Sequence, residues 1–360
     1  MSDTPRSRNH ARRAPATPAM LQALLVELDA RPPGRVHFEL VSRWAAKHVW
    51  RVDVEGRPWA YIRYLLGSAE QYPERWHRLW MSTLLHEARV GPRVLGLTPA
   101  STALEGRAAI VEAALQPIPR EALEARMVEA VALFARLHSH EPLRQTLLEN
   151  LSESDRQRIR PLAQLFAEAR ERWFEAVTAR WLEAGLVEQV GVLSAIVGEL
   201  VDTLEALGGQ NNDTGLIVPT HGDPNHGNFM VNRQGALRLI DFEELALNHP
   251  VADLGVFLTW YADKDQHRAL LQHYPLLDAD EMLERMRVWV PLRYLTIAAH
   301  WAARLIRAQD GEAWAFAVGS VDEWLRGAAE LVYQSTVPPH VDAQLAEVRR
   351  SLLACAPATR

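Results

Sequence analysis

Between residues 220 and 245 the chain places an aspartate, an asparagine and a second aspartate at intervals that could serve phosphoryl transfer. One segment reads Thr220-His221-Gly222-Asp223-Pro224-Asn225-His226-Gly227-Asn228, and a second reads Ile240-Asp241-Phe242-Glu243. Phosphoryl transfer asks little covalent chemistry of a protein. It needs an acceptor for a hydroxyl proton, oxygen ligands for Mg²⁺, and positive charge near the phosphates. Asp223 can orient and deprotonate a hydroxyl. Asn228 offers a neutral amide oxygen and Asp241 a carboxylate, both hard donors suited to Mg²⁺. Singly, Asp223 before Pro224 suits a turn, Asn228 a cap and Asp241 a strand end. Those separate readings leave the spacing of the set unexplained.

For these groups to meet, the chain between them must fold back. Phe229-Met230-Val231 and Leu237-Arg238-Leu239-Ile240 read as a hairpin around Asn232-Arg233-Gln234-Gly235, which returns Asp241 to the side of Asn228. The surroundings read as helix. Leu123, Met127, Val131, Phe134 and Leu137 share one face of a helix ending near His138. Leu186, Val190, Leu193, Val197, Leu200 and Leu204 recur at four and three residues before Gly208-Gly209, the pattern of a long buried helix. More helices follow from about residue 279. The first third differs: residues 36–41, 49–54 and 59–63 alternate as strands, with a turn at Glu55-Gly56-Arg57-Pro58. A helix over 74–90 and a strand region over 93–111 complete a small β-rich unit.

Composition bounds the rest. With 360 residues, 48% hydrophobic and 23% charged, the chain can bury a sizeable core and is long enough for two domains. A net charge of −6 argues against nucleic-acid binding. The single cysteine, Cys355, excludes an internal disulfide framework or Cys-based zinc site and points to a reducing cytoplasm. His138, His140, His221 and His226 match no standard zinc spacing. No apolar run reaches the roughly 18 residues needed to span a bilayer. Arg6, Arg8, Arg12 and Arg13 mark residues 1–19 as a disordered basic tail.

His-Gly-Asp-x-x-x-x-Asn followed by Ile-Asp-Phe-Glu resembles the core of the aminoglycoside phosphotransferase and choline kinase family, relatives of protein kinases. Asn248-His249-Pro250-Val251-Ala252-Asp253-Leu254 is similar to the family's Pro-x-x-Asp-Leu element, and Leu133-Phe134-Ala135-Arg136-Leu137-His138 to its Leu-x-x-Leu-His helix. The resemblance implies an α+β, protein-kinase-like bilobal fold. It implies a nucleotide-binding lobe over 20–112 and a helical catalytic and acceptor-binding lobe over 113–360, joined by a linker near 112–120. It further implies ATP or GTP as co-substrate with Mg²⁺, Asp223 as catalytic base, Asn228 and Asp241 as metal ligands, and His221 and Asp253 as supports of the catalytic loop. Arg63, on the third strand, takes the place of the family's phosphate-holding cation, and Glu74 is the expected partner on the following helix.

One departure stands out. Ser42-Arg43-Trp44-Ala45-Ala46-Lys47, the expected nucleotide loop, has no glycine to let backbone N–H groups approach the phosphates, so the clamp is either looser or uses side chains such as Ser42 and Lys47. Direct in-line transfer is expected, with no phosphoenzyme. For the acceptor, Asp241-Phe242-Glu243-Glu244 with Asn248 and Pro250 looks closer to kinases of choline, ethanolamine and thiamine. Trp260, Tyr261, Trp289, Trp301 and Trp324 could supply a cage for a cationic group, or simply pack helices. An aminoglycoside acceptor, and a pseudokinase without turnover, are the alternatives.

Overall fold

The computed structural model describes residues 14–43, 47–150, 162–173, 177–208, 216–334 and 336–356. Contacts between α-carbons divide the chain into two compact units, Met1–Leu143 with Asn225–Glu244, and Arg144–Pro224 with Leu245–Arg360. The fold is α+β, with a β-rich N-terminal region and a helical C-terminal region.

The first unit is built on a five-stranded antiparallel sheet. Its strands are β1 (Val36–Arg43), β2 (Lys47–Val54), β3 (Arg57–Leu65), β4 (Val94–Ser101) and β5 (Arg107–Ala113), in the order β1-β2-β3-β5-β4. Glu55 and Gly56 turn between β2 and β3 with φ of 51° and 76°, the left-handed pair that a two-residue hairpin requires. Side chains alternate across a strand, so two layers form. Trp50, Val52, Ala60, Ile62 and Tyr64 face α1 (Pro18–Glu27) through its Leu21, Leu24 and Leu25. Leu65, Ala108 and Ile110 pack with Leu79 of α2 (Pro73–Glu87).

Of residues 1–19, expected as a disordered basic tail, residues 14–19 are ordered. Residues 1–13 lie outside the described set. Ala16 is buried with its N–H donating to the Tyr64 hydroxyl at 2.7 Å, and Thr17 caps α1 from its side chain. Pro18 at the first helical position, where no N–H is needed, lets the helix begin inside the supposed tail.

The unit boundary also falls elsewhere than 112/113. After β5 the chain forms β6 (Gln116–Pro117), α3 (Arg120–Glu124) and α4 (Met127–His138), all within the first unit. β6 pairs with β8 (Phe229–Val231), which pairs with β9 (Leu237–Leu239). Phe134 of α4 meets Phe229 edge-on at 5.8 Å. Glu129 accepts from Leu237 N at 2.9 Å, and Arg126 donates to Gly235 O at 2.7 Å. The expected linker thus carries a strand of the Asn228–Asp241 hairpin's own sheet.

The second unit is mainly helical. Its longest helices are α5 (Val187–Gly208), α6 (Ala279–Leu305) and α7 (Gly311–Val332). The Leu186-to-Leu204 stripe is buried throughout, and Trp173 and Trp181 donate their indole N–H groups to carbonyls of α6 at 3.0 and 2.9 Å. Polar tips of buried aromatics are thereby satisfied. A two-stranded ladder, β7 (Val218–Thr220) with β10 (Ala246–Asn248), precedes α8 (Val251–Tyr261). No helix of the described residues is long and apolar enough to cross a membrane.

Candidate active site

The hairpin does what its sequence requires. Asn232 Oδ1 accepts from Gln234 N and Ala236 N, and Gly235 takes φ 78° to close the turn. β8 and β9 then run antiparallel, and Ile240 N donates to Asn228 O at 3.0 Å. That cross-strand bond sets Asp241 beside Asn228, thirteen positions apart in the chain. Asn228 is buried at 6% exposure, and Asp241 is exposed with a left-handed φ of 63°. A non-glycine residue held there is uncommon and clusters at functional positions.

Both residues line a cavity of about 850 Å³ within the first unit. Val49, Leu65, Leu115, Met230 and Ile240 make part of its wall apolar, suited to a flat ring, and Arg63, Lys47 and Glu112 add charge. Arg63 donates through Nη2 to Glu112 at 2.6 Å and to Ser82 Oγ at 3.0 Å. Its Nε is buried without a hydrogen-bond partner. A guanidinium lining a cavity suits an anionic ligand.

Glu74 does not pair with Arg63. It is exposed in the first turn of α2, where a carboxylate complements the helix dipole. Ser82, the α2 residue that meets Arg63, lies eight positions on, roughly 12 Å along the axis. The acid comes instead from β5. Arg63 stands opposite Ile110 and Tyr61 opposite Glu112, so Arg63 and Glu112 are diagonal neighbours on one face of the sheet. Glu112 was visible in the sequence as a lone acid in the buried run Ala108-Ala109-Ile110-Val111-Glu112.

Of the two loop residues, Lys47 lines the cavity and Ser42 does not. Residues 44–46 lie outside the described set. Lys47 is paired with Glu243. That bond, with the Lys47, Arg78 and Arg63 charges, holds the Glu243 carboxyl below its ordinary range although burial works the other way.

In the second unit, Asp253 sits in the first turn of α8 with 0% exposure. Its carboxylate accepts from His221 N at 2.7 Å and Gly222 N at 2.9 Å. Gly222 has φ 85°, and Asp223 N donates to His221 Nδ1 at 3.2 Å. Asp223 itself is half-buried. Arg293 of α6 donates to Gly222 O at 2.9 Å. Sequence reading missed Arg293, a single charge in the apolar stretch Val288-Trp289-Val290-Pro291-Leu292-Arg293.

The five aromatic candidates separate into three places. Trp260 lies 6.2 Å from Tyr261 and 5.7 Å from Trp324, and Tyr294 meets Trp324 at 4.8 Å. Trp289 lies against His249 instead, and Trp301 against Phe316.

Among the described residues no three His, Cys, Asp or Glu cluster as a metal cage. Mg²⁺ does not need one. It is usually held by one or two protein oxygens, with waters and substrate phosphates completing the shell. The neighbouring Asn228 and Asp241 oxygens on a cavity wall fit that demand.

A model of the "Phosphotransferase enzyme family" matches residues 49–289. No curated protein matches the chain. Among solved structures, a spectinomycin phosphotransferase in complex with ADP and its antibiotic superposes with TM-score 0.55 and 15% identity, over 86% of this chain and 98% of that one. An ethanolamine kinase of Plasmodium vivax gives 0.52 and 11%, over 81% and 83%. A choline kinase of Streptococcus pneumoniae gives 0.51 and 12%, over 86% and 98%. At these identities the likeness is one of fold.

Proposed function

We propose that this chain, which belongs to the phosphotransferase enzyme family, moves the γ-phosphoryl group of ATP or GTP, with Mg²⁺, to a hydroxyl of a small cationic amino alcohol. The observation that carries the reading is the Asn228–Ile240 cross-strand bond. It gathers two Mg²⁺-type oxygen donors on the wall of a cavity that Arg63 and Lys47 also line.

In this reading Arg63 and Lys47 meet the phosphates, and Asn228 and Asp241 hold the metal. The ion neutralises charge on the transferring group when bound. Asp223 orients the acceptor hydroxyl and takes its proton as the new O–P bond forms and the bond from the γ-phosphorus to the β–γ bridging oxygen breaks, releasing nucleoside diphosphate. His221, Asp253 and Arg293 fix the loop: the bonds from His221 N and Gly222 N to the Asp253 carboxylate, and from Arg293 to Gly222 O, remove the freedom Asp223 would otherwise lose in reaching the transition state. Transfer is direct.

For the acceptor, Trp260, Tyr294 and Trp324 favour a cationic head. They form one aromatic cluster, and Tyr294 adjoins the loop-anchoring Arg293 in sequence. The charges of Glu323 and Glu330 act on Tyr294, whose hydroxyl pKa is pushed up to about 12, chiefly by burial. Aromatic faces with nearby carboxylates attract ammonium groups. The measurement is nucleoside-diphosphate release with Mg²⁺ and ATP or GTP, across choline, ethanolamine, thiamine, sugars and aminoglycosides. Stimulation by the amino alcohols supports the reading. Stimulation by aminoglycosides alone would replace it with an antibiotic kinase, and silence with nucleotide binding intact would favour a module without turnover.

A further inference from the structure

Residues at i, i+3, i+4 and i+7 share one face of a helix. Arg75, Arg78, Leu79 and Ser82 of α2 have that spacing, and all four line the cavity. The helix is thus free of the duty that the resemblance assigned to it. Glu112 neutralises Arg63 from the sheet, and Ser82 contributes only a hydroxyl. What α2 presents in place of an acid is a pair of guanidinium groups. Lys47 already has Glu243, and Arg63 has Glu112. Among the described residues, Arg78 bonds the Glu243 carbonyl at 3.1 Å and Arg75 lies 5.7 Å from the Tyr72 ring centre, and neither has a carboxylate at salt-bridge distance.

A cationic helix face on a nucleotide-sized cavity matches the one deficiency of the strand loop. Without glycine, backbone N–H groups do not approach phosphate closely, whereas guanidinium forks take phosphate oxygens in pairs through flexible side chains. We infer that Arg75 and Arg78 hold the terminal phosphates of the nucleotide, so that α2 does with side chains what a glycine-rich loop does with its backbone. The inference rests on the nucleotide-site reading of this cavity and adds residues to it.

Calorimetric titration of the full chain with ATP and with adenosine, at fixed ionic strength and Mg²⁺, tests it. Arg75 and Arg78 are exposed, so R75M, R78M and the double variant should fold. The double variant is expected to bind ATP about 10- to 100-fold more weakly, the loss of charge-assisted hydrogen bonds, with adenosine affinity unchanged. R78K should recover part of the loss, because it keeps the charge and not the fork. Unchanged ATP affinity in the double variant, with wild type binding ATP, overturns the inference and leaves the nucleotide site standing. Equal losses for ATP and adenosine overturn it as well, because the phosphates would not be what the arginines sense. A wild-type chain that binds neither ligand overturns both the inference and the reading beneath it.

Discussion

Asp253 has no exposed surface and two backbone N–H donors on its carboxylate. Asp253→Ala strands both donors and is expected to cost about 2–5 kcal/mol of stability. Asp253→Asn keeps one acceptor oxygen and should lose less, which thermal unfolding of the two variants will rank. Asp223 contrasts with it. Half-buried at the end of the braced turn, it contributes little packing. Asp223→Ala should therefore melt near wild type yet lose about 10²- to 10⁴-fold in turnover, the usual worth of a positioned proton acceptor. At this scale the sequence was a good guide for residues whose partners lie close along the chain or in a recognisable motif. The motif picked out His221, Asp253, Asn228 and Asp241; Asp253 accepts from His221 N and Gly222 N, Asn228 and Asp241 line one cavity, and their roles in the reaction stand as proposals. Arg63 was legible as a cavity cation, but its partner was not. Glu112 reaches it through strand register, and a two-residue diagonal across a sheet leaves no mark in linear spacing.

The elements explain why the residue set holds together, and they make two further predictions. The β8–β9 hairpin depends on Gly235 at φ 78°, with open space where a side chain would go. Gly235→Ala meets no clash and pays only for the left-handed backbone, about 1 kcal/mol, read as a lower thermal midpoint with turnover retained. The α2–sheet contact supplies the second. Glu112→Gln removes the charge opposite Arg63 and should cost about 1–3 kcal/mol, whereas Glu74→Gln, on the exposed first turn, should stay within about 0.5 kcal/mol of wild type. Equal effects in denaturant unfolding would contradict the reassignment of the Arg63 partner. Strands, hairpins and the Leu186–Leu204 helix were legible because periods of two and of three to four are local. The start of α1 was not, because Thr17 and Pro18 stand in a Pro-, Ala- and Arg-rich context that reads as tail. The grouping of residues 113–143 with the sheet was equally hidden, since it depends on β6, two residues long, pairing with a strand more than a hundred positions away.

Across the whole molecule, acid response follows from the histidines. Burial holds His48, His77, His86, His140 and His267 below their ordinary value of 6.5. Each takes up a proton more readily in the unfolded chain than in the folded one, so stability rises with pH across the interval between the two values. The stabilising contribution is complete above about pH 6.5 and is lost as pH falls below it. Unfolding free energy should accordingly drop between pH 7.5 and pH 5.5, and a flat profile in denaturant titrations would contradict the burial of these rings. The family rests on a match over residues 49–289; the acceptor rests on a few side chains, chiefly the aromatic cluster, which explains why sequence spoke more clearly about the enzyme class than about its substrate. The most direct test of the central claim is acceptor-stimulated release of nucleoside diphosphate with and without Mg²⁺, by wild type and Asp223→Ala, with nucleotide affinity measured on the same preparations. Mg²⁺-dependent release by wild type, abolished in Asp223→Ala while nucleotide binding persists, is the predicted result. Release that is indifferent to Mg²⁺, or undiminished in the variant, would contradict it.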